Sequence, residues 1–453
     1  MLKKLILSIT LFAFITSFSQ NVVKGKMTPQ GKYTWVILYQ LRGVSQQYIG
    51  NGTIKDSEFT LTFPKGSKAG MYRILYDNTN NKYIDVLYNN EDIEFEFHPE
   101  YPNELVKFSS SDENILFQKY IEDISVINTS MDSIQVAYIA NSEKTKSDKS
   151  QKAYTKKLNK ATKIQNDFEL KADKKLAYNF IRANKRYFPK TLLKDNKSLM
   201  KSLSSHYFDF IDFNNTHLKQ SSLLIDRILS YVFVLNISKD PNELIKLREQ
   251  SITTVLSKIT NIDLKKDVIE SIMYTFAQKE DVKMIKSIVK NHFNKLPVAL
   301  QDYEFKNAVL DMVKTTVGVQ APNIIWQDKK EGSKNLYNLK DKDYYLVVFW
   351  STTCPHCLQE LPKLQKLVKE KTNVQVIAIG LETNESKYNW IDETYFYEDF
   401  IHIMGENKYK NQYVKDYGVS STPNFFLLNA DKKIIAKPYD VKKLKEYFIQ
   451  KKI

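Results

Sequence analysis

Val347-Val348-Phe349-Trp350-Ser351-Thr352-Thr353-Cys354-Pro355-His356-Cys357 is the stretch on which the reading of this chain turns. Tyr344 to Trp350 is an unbroken apolar run, the pattern of a strand buried on both faces. After Pro355 the spacing changes, and Leu358, Leu361, Leu364, Leu367 and Val368 recur on the inner face of a helix. Pro355 sits in the first turn, where a helix tolerates proline without losing a hydrogen bond. The strand therefore delivers Cys354 to the mouth of that helix. Unpaired backbone N–H groups and the positive end of the helix dipole favour a negative sulfur there, so Cys354 is expected to be the more acidic, exposed nucleophile. Cys357 lies one turn further in. Two intervening residues let its sulfur close a disulfide with Cys354, or attack a mixed disulfide formed there. His356 stands between them. If it carries positive charge, or donates to the Cys354 sulfur, it stabilises the thiolate and makes the pair a better oxidant; the alternative is a histidine that only covers the helix surface.

These are the only two cysteines in 453 residues, which excludes a disulfide scaffold and any all-cysteine zinc or iron–sulfur site. With 42% apolar and 26% charged residues, 12 Gly and 12 Pro, the chain is neither fibrous nor wholly disordered, and its length suggests about three domains. The net charge of +15 is nearly all lysine, since Arg42, Arg73, Arg182, Arg186, Arg227 and Arg248 are the only arginines. Dispersed lysines interleaved with Asp and Glu read as a solvated surface, not as the arginine-forked stripe of a nucleic-acid reader.

Working outward from the cysteines, residues 316–453 alternate strands and helices. Strands are expected over 323–326, 344–350, 374–381, 424–429 and 433–437, with helices over 355–370, 388–399, 409–417 and from 441 onward. That order calls for an α/β sheet, parallel at its centre and antiparallel in its last hairpin. Residues 106–315 show helical periods with few glycines, including a lysine-rich amphipathic stretch over 144–175. His206, His217 and His292 fall here without Cys or paired acids at ligand spacing, and read as packing or surface histidines. Residues 20–105 read as a small all-β domain, with strands over 33–41, 58–63, 71–76, 83–88 and 92–97. Asn51-Gly52, Lys65-Gly66 and Asn78 to Asn81 are taken as the turns between them. Residues 1–19 read as a signal peptide: Lys3 and Lys4, the apolar run Leu5 to Ile15, then Ser17-Phe18-Ser19. The mature chain is thus expected in the periplasm or cell envelope, where a disulfide persists.

The stretch from Val347 to Cys357, the Glu360-Leu361-Pro362 that follows it, and Tyr417-Gly418-Val419-Ser420-Ser421-Thr422-Pro423-Asn424-Phe425-Phe426-Leu427-Leu428 resemble the thioredoxin superfamily. They are closest in kind to the exported TlpA-like thiol-disulfide oxidoreductases of Gram-negative bacteria. The resemblance covers about 135 residues at the C-terminus. It implies a thioredoxin-like fold for the last domain, behind an N-terminal all-β domain and an α-helical middle domain. It also implies an intact Trp350, and a cis peptide at Thr422-Pro423 facing the disulfide, with the backbone before Pro423 pairing with a bound substrate chain. The group works without a separate cofactor, its redox group being the Cys354–Cys357 disulfide. Partners implied are protein disulfides or dithiols and a membrane redox partner that recycles the pair. Thioredoxins proper carry a buried Asp where this chain has Val348. Some TlpA-like proteins use a Glu near the end of the next strand instead, which carries over to Glu382 as general base for Cys357, with a surface carboxylate as the alternative.

The resemblance points to reduction of substrates, whereas His356 points to oxidation. Two other readings compete. A thiol peroxidase of the same fold fits Ser351, but Val347 stands where that motif has Pro. In an envelope binding protein, the upstream domains would do the recognising and the last domain would be accessory. Haem attachment fails because residue 358 is Leu, and a metal clip of Cys354, His356 and Cys357 lacks a fourth ligand.

Overall fold

The structure, a computed structural model, describes residues 20–42, 45–140, 148–328 and 332–453. The expected signal peptide and residues 144–147 of the lysine-rich stretch lie outside them. The chain divides into two compact units, Met1–Val268 and Ile269–Ile453. The division falls within a helix.

Among the described residues the first unit opens with eight strands: β1 (Val22–Met27), β2 (Trp35–Arg42), β3 (Ser45–Thr53), β4 (Glu58–Thr62), β5 (Gly70–Asp77), β6 (Lys82–Tyr88), β7 (Ile93–Phe97) and β8 (Val106–Ser110). They form two four-stranded sheets, β4-β1-β7-β8 and β3-β2-β5-β6. Alternating residues of β1, β7, β2, β5 and β6 enter one shared core, among them Val23, Met27, Val36, Leu38, Tyr72, Ile74, Val86 and Phe95, so the two sheets are faces of a sandwich. Three of these strands escape the sequence pattern. β3 is polar and largely exposed, and Asn51-Gly52 sits inside it, opposite Ile37 and Val36, not in a turn. Glycine is needed there for close approach: a Cβ on Gly52 would stand 3.1 Å from Leu61 Cδ2 and 3.2 Å from the Thr60 carbonyl oxygen. β8 carries the sheet past residue 105, and β1 begins only three residues after the expected signal.

Helices α1 (Asp112–Ala140), α2 (Asp148–Lys171), α3 (Ala177–Asn184), α4 (Asn196–Ser205), α5 (Thr216–Lys219), α6 (Ser222–Phe233) and α7 (Pro241–Lys258) follow. α1 protects two sheet edges with amides one turn apart. Asn114 accepts from Leu87 N–H at 2.8 Å and donates to the Leu87 carbonyl at 2.7 Å, while Gln118 does the same with Phe108 N–H and the Val106 carbonyl. Each side chain stands in for a missing strand, and so removes a template for edge-to-edge pairing. Buried Glu113 accepts from Leu176 N–H and Ala177 N–H, which seats the start of α3 against α1.

On the outer face of β5 and β6 a charge cluster meets α6. Arg73 donates twice to Asp85, at 2.7 Å each, and stacks 3.5 Å over the Tyr83 ring, while Ser222 Oγ donates to Asp85 at 3.0 Å. Burial pushes the Asp226 carboxyl above its usual range, against the pull of Arg73. Replacing Arg73 by Leu leaves Asp85 and Asp226 facing each other uncompensated and should cost about 3 kcal/mol. A raised carboxylic pKa gives stability that is present at low pH and lost as pH rises through the folded value. Removing Arg73 lifts that value further, so the variant's deficit should widen from mildly acidic to neutral pH. Denaturant melts at several pH values check it.

The second unit contains the end of α8 (Ile262–Gln278), then α9 (Val282–Asn291) and α10 (Tyr303–Val313), the last two capped by Asp281 and Asp302 accepting first-turn N–H groups. A hairpin of β9 (Ile325–Asp328) and β10 (Gly332–Asn335) precedes a five-stranded sheet ordered β13-β12-β11-β14-β15. Its strands are β11 (Tyr344–Trp350), β12 (Val374–Glu382), β13 (Ile401–Glu406), β14 (Asn424–Asn429) and β15 (Ile434–Ala436). β11, β12 and β13 run parallel, and β14 and β15 antiparallel. Helices α11 (Pro355–Lys369) and α14 (Val441–Lys451) pack on one face, where Leu346, Val348, Trp350, Val376 and Ala378 point. α13 (Gln412–Tyr417) covers the other, with Val347, Phe349, Ile377 and Ile379. Both faces are covered, which is why β11 reads as an uninterrupted apolar run.

β13 is absent from the sequence reading, because His402, Gly405 and Glu406 dilute its apolar pattern to Ile401, Ile403 and Met404. The expected helix over 388–399 is α12 (Lys387–Thr394) followed by a 3-10 turn over Tyr395–Tyr397, and the one over 409–417 is a 3-10 turn over Lys408–Lys410 followed by α13.

Candidate active site

β11 is the central strand, and its last residue, Trp350, is fully buried opposite Gly380 of β12. Ser351 to Thr353 turn the chain so that Cys354 becomes the N-cap of α11, with Pro355 in the first turn. Cys354 and Cys357 are joined as a disulfide with 5.3 Å between their Cα atoms. The two sulfurs differ in access. Cys354 is partly exposed, whereas Cys357 is fully buried in the core shared by Trp350, Leu361 and Phe425. Cys354 Sγ accepts the Cys357 N–H at 3.1 Å, using one of the helix's unpaired first-turn donors. That N–H and the dipole behind it would hold charge on Cys354 when the bond opens.

Thr422-Pro423 lies across from this sulfur, 3.4 Å separating Cys354 Sγ from the Thr422 carbonyl oxygen. The Thr422–Pro423 peptide is cis, Pro423 is buried and Thr422 partly exposed. The carbonyl belongs to the stretch that leads into β14, the antiparallel neighbour of β11, which is how residues 68 apart come together.

Pro355 and His356 are exposed. In the disulfide form the donor to Cys354 Sγ is the Cys357 N–H. Glu360, one turn beyond Cys357, is buried. Burial raises its pKa, but the Lys363 ammonium at 2.8 Å and the Val441 N–H at 2.8 Å outweigh that and hold it below the usual carboxylate range. It ties α11 to the start of α14.

Glu382 is the last residue of β12, and the surface placement allowed by the sequence is corrected: it is 0% exposed. In strand phase it follows Val374, Val376, Ala378 and Gly380, so it points to the face that α11 covers. Its Oε1 accepts from Thr352 N–H at 2.6 Å and Thr352 Oγ1 at 3.1 Å. Its Oε2 is buried without a hydrogen-bond partner. A carboxylate anchored through one oxygen, with the other's lone pairs unclaimed, can take up a proton without losing its seat. Trp390 packs in the notch left by Gly380, where an added Cβ would stand 2.0 Å from Trp390 Nε1.

Two contacts have no signal in sequence. Thr352 is the donor that positions Glu382, free to do so because β11 ends two residues earlier. Lys408 donates to Thr353 Oγ1 at 3.2 Å, across 55 residues of chain. Among the described residues no three His, Cys, Asp or Glu side chains converge as metal ligands, and no helix is long and apolar enough to cross a membrane.

Known proteins resemble the C-terminal part of this chain. The AhpC/TSA family matches residues 317–437. The thiol-disulfide oxidoreductase ResA of Bacillus thuringiensis (strain Al Hakam) is 31% identical over 129 residues, 28% of this chain and 70% of that protein. A thioredoxin-like protein of Haemophilus influenzae is 28% identical over 127 residues, 28% of this chain and 72% of that protein. A solved domain of a possible thiol-disulfide isomerase from Cytophaga hutchinsonii is 26% identical, covering 30% of this chain and 92% of that one, with a TM-score of 0.26. With the likeness to ResA extending over most of that protein, the chain belongs to the thioredoxin superfamily, among its TlpA-like thiol-disulfide oxidoreductases.

Proposed function

We propose that this oxidoreductase reduces disulfides in exported protein substrates through the Cys354–Cys357 dithiol, after loss of residues 1–19 on export. The observation that carries the reading is the unequal access of the two sulfurs: one partly exposed at a helix N-terminus, its partner fully buried a turn behind. In the reduced protein the Cys354 thiolate attacks a substrate disulfide. A Cys354–substrate bond forms, and the departing substrate sulfur takes a proton. Cys357 then passes its proton to Glu382 Oε2 and attacks Cys354 Sγ. The internal disulfide closes, and the second substrate thiol leaves with two electrons now on the substrate. Thr422 and Pro423 shape the docking surface, the Thr422 carbonyl lying beside the sulfur that a substrate must reach. Trp350 and Pro355 hold the strand end and the helix start between which Cys354 is set.

Two electrons and two protons must be returned to the pair for each turnover. A membrane redox partner is the source we assign, and the disulfide is the only redox group invoked. The reducing direction follows the likeness to the TlpA-like oxidoreductases, and a backbone N–H already supplies a donor to Cys354 Sγ.

Turnover tests the proposal. The purified chain with dithiothreitol should accelerate reduction of the insulin interchain disulfides, and Cys354→Ser should return the rate to background. Equal rates for the two proteins would favour the binding-protein reading, with the thioredoxin-like domain accessory.

A further inference from the structure

We propose that Lys408 is a positioning residue whose charge lowers the proton affinity of Cys354; the inference rests on Cys354 being the nucleophile. β13 ends at Glu406, paired with Glu382 of β12, so the chain leaves the sheet at the end where the disulfide lies. Asn407 and Lys408 then both adopt left-handed backbone, with φ of 64° and 46°. Asparagine tolerates that conformation, but a lysine there is held against its own preference. Such strain persists where the surroundings over-determine it, and it gathers at working sites. What the turn achieves is to bring the Lys408 ammonium to 3.2 Å from Thr353 Oγ1, on the residue next to Cys354. The Thr353 hydroxyl is itself fixed, 3.0 Å from Ser351 Oγ, which accepts the Thr353 N–H at 3.2 Å. The lysine is therefore tied to the loop that carries the nucleophile.

The other charges near this loop leave that role open. From α11 come His356, exposed, and Glu360, which Lys363 and Val441 N–H already compensate. From β12 comes Glu382, its Oε1 engaged by Thr352. From β13 and the turn after it come Glu406 and Lys410, both exposed. Glu382 is a buried carboxyl that meets the loop at Thr352, and its ionised form opposes a thiolate. A cation anchored on Thr353 offsets it. The Cys354 thiol gives its proton to solvent, and Lys408 exchanges none. An attacking thiol works best with a pKa near ambient pH, so a modest downward shift speeds the first step. A single charge held on the neighbouring residue and acting mostly through solvent is worth about half a pKa unit.

The test uses the full-length reduced protein and iodoacetamide, following alkylation of each cysteine by mass spectrometry across pH. In Lys408→Met the Cys354 profile should move up by about half a unit, with alkylation at pH 7 slowed about threefold. Lys408→Arg, which keeps the charge, should track the wild type, and the difference between Met variant and wild type should close in 1 M salt. Superimposable wild-type and Met profiles would overturn the proposal. So would an Arg variant shifted as far as the Met variant, since that would mark a role in shape and not in charge. Alkylation of Cys357 ahead of Cys354 in the wild type would instead overturn the nucleophile assignment on which the proposal stands.

Discussion

Serine at position 357 should cut catalytic turnover with a protein disulfide by about 10³-fold or more while leaving the first attack intact. The argument is one of access and of bond order. Cys357 is fully buried, so no substrate sulfur reaches it directly, and its function is confined to a single partner, Cys354 Sγ, one helical turn away. With a hydroxyl in its place no sulfur remains to displace the substrate from Cys354, and the mixed disulfide should accumulate stoichiometrically. Its mass should map to Cys354 after digestion without reductant. Burying a hydroxyl among Trp350, Leu361 and Phe425 costs about 1–3 kcal/mol. A melting curve should accompany the assay, and the predicted signature is a folded protein that traps substrate. A Cys357→Ser protein that turns over like the wild type would show that the pair does not act in sequence.

Glutamine at position 382 should slow resolution of the mixed disulfide by about 10²-fold at pH 7, with little effect on its formation. The glutamine carbonyl can keep the seat that Oε1 occupies, accepting from Thr352 N–H and Oγ1. What is lost is the second oxygen, whose lone pairs have no other partner. An amide nitrogen there cannot accept the Cys357 proton. The deficit should shrink as pH rises, because hydroxide then removes the proton that Glu382 takes at neutral pH. Stopped-flow measurement of the two steps separates them. Equal slowing of both steps, or none, would reduce Glu382 to a residue that braces Thr352.

The site was legible where chemistry and local structure coincide in a few consecutive residues. A strand buried on both faces has to be apolar throughout, and a helix that starts on Cys-Pro announces both its N-cap and its first turn, so β11, α11 and the two cysteines stand out from Tyr344 to Cys357. Pro423 was reached through resemblance, since nothing in its neighbours says that residues 354 and 422 meet. Glu382 shows the limit of the pattern: a carboxylate directly after Ile377 to Leu381 reads equally as the last buried residue or the first exposed one, and only the partner strands decide it. Lys408 lies beyond any local rule, because its role comes from where β13 ends. β13 itself was hidden by His402, Gly405 and Glu406, and β3 by its polar face, while Asn51-Gly52 follows turn statistics in a place where the need is close packing against β4.

The central claim is that Cys354 and Cys357 convert together between disulfide and dithiol at a potential set for reduction. Equilibrating the protein in dithiothreitol and glutathione buffers of graded poise, then counting both thiols by mass, measures it directly. The account predicts one two-electron transition in which both cysteines change state together, with a midpoint nearer thioredoxin's value of about −270 mV than the strongly oxidising extreme of about −120 mV. Cysteines that titrate separately, or a pair that stays closed across the whole range, would contradict it.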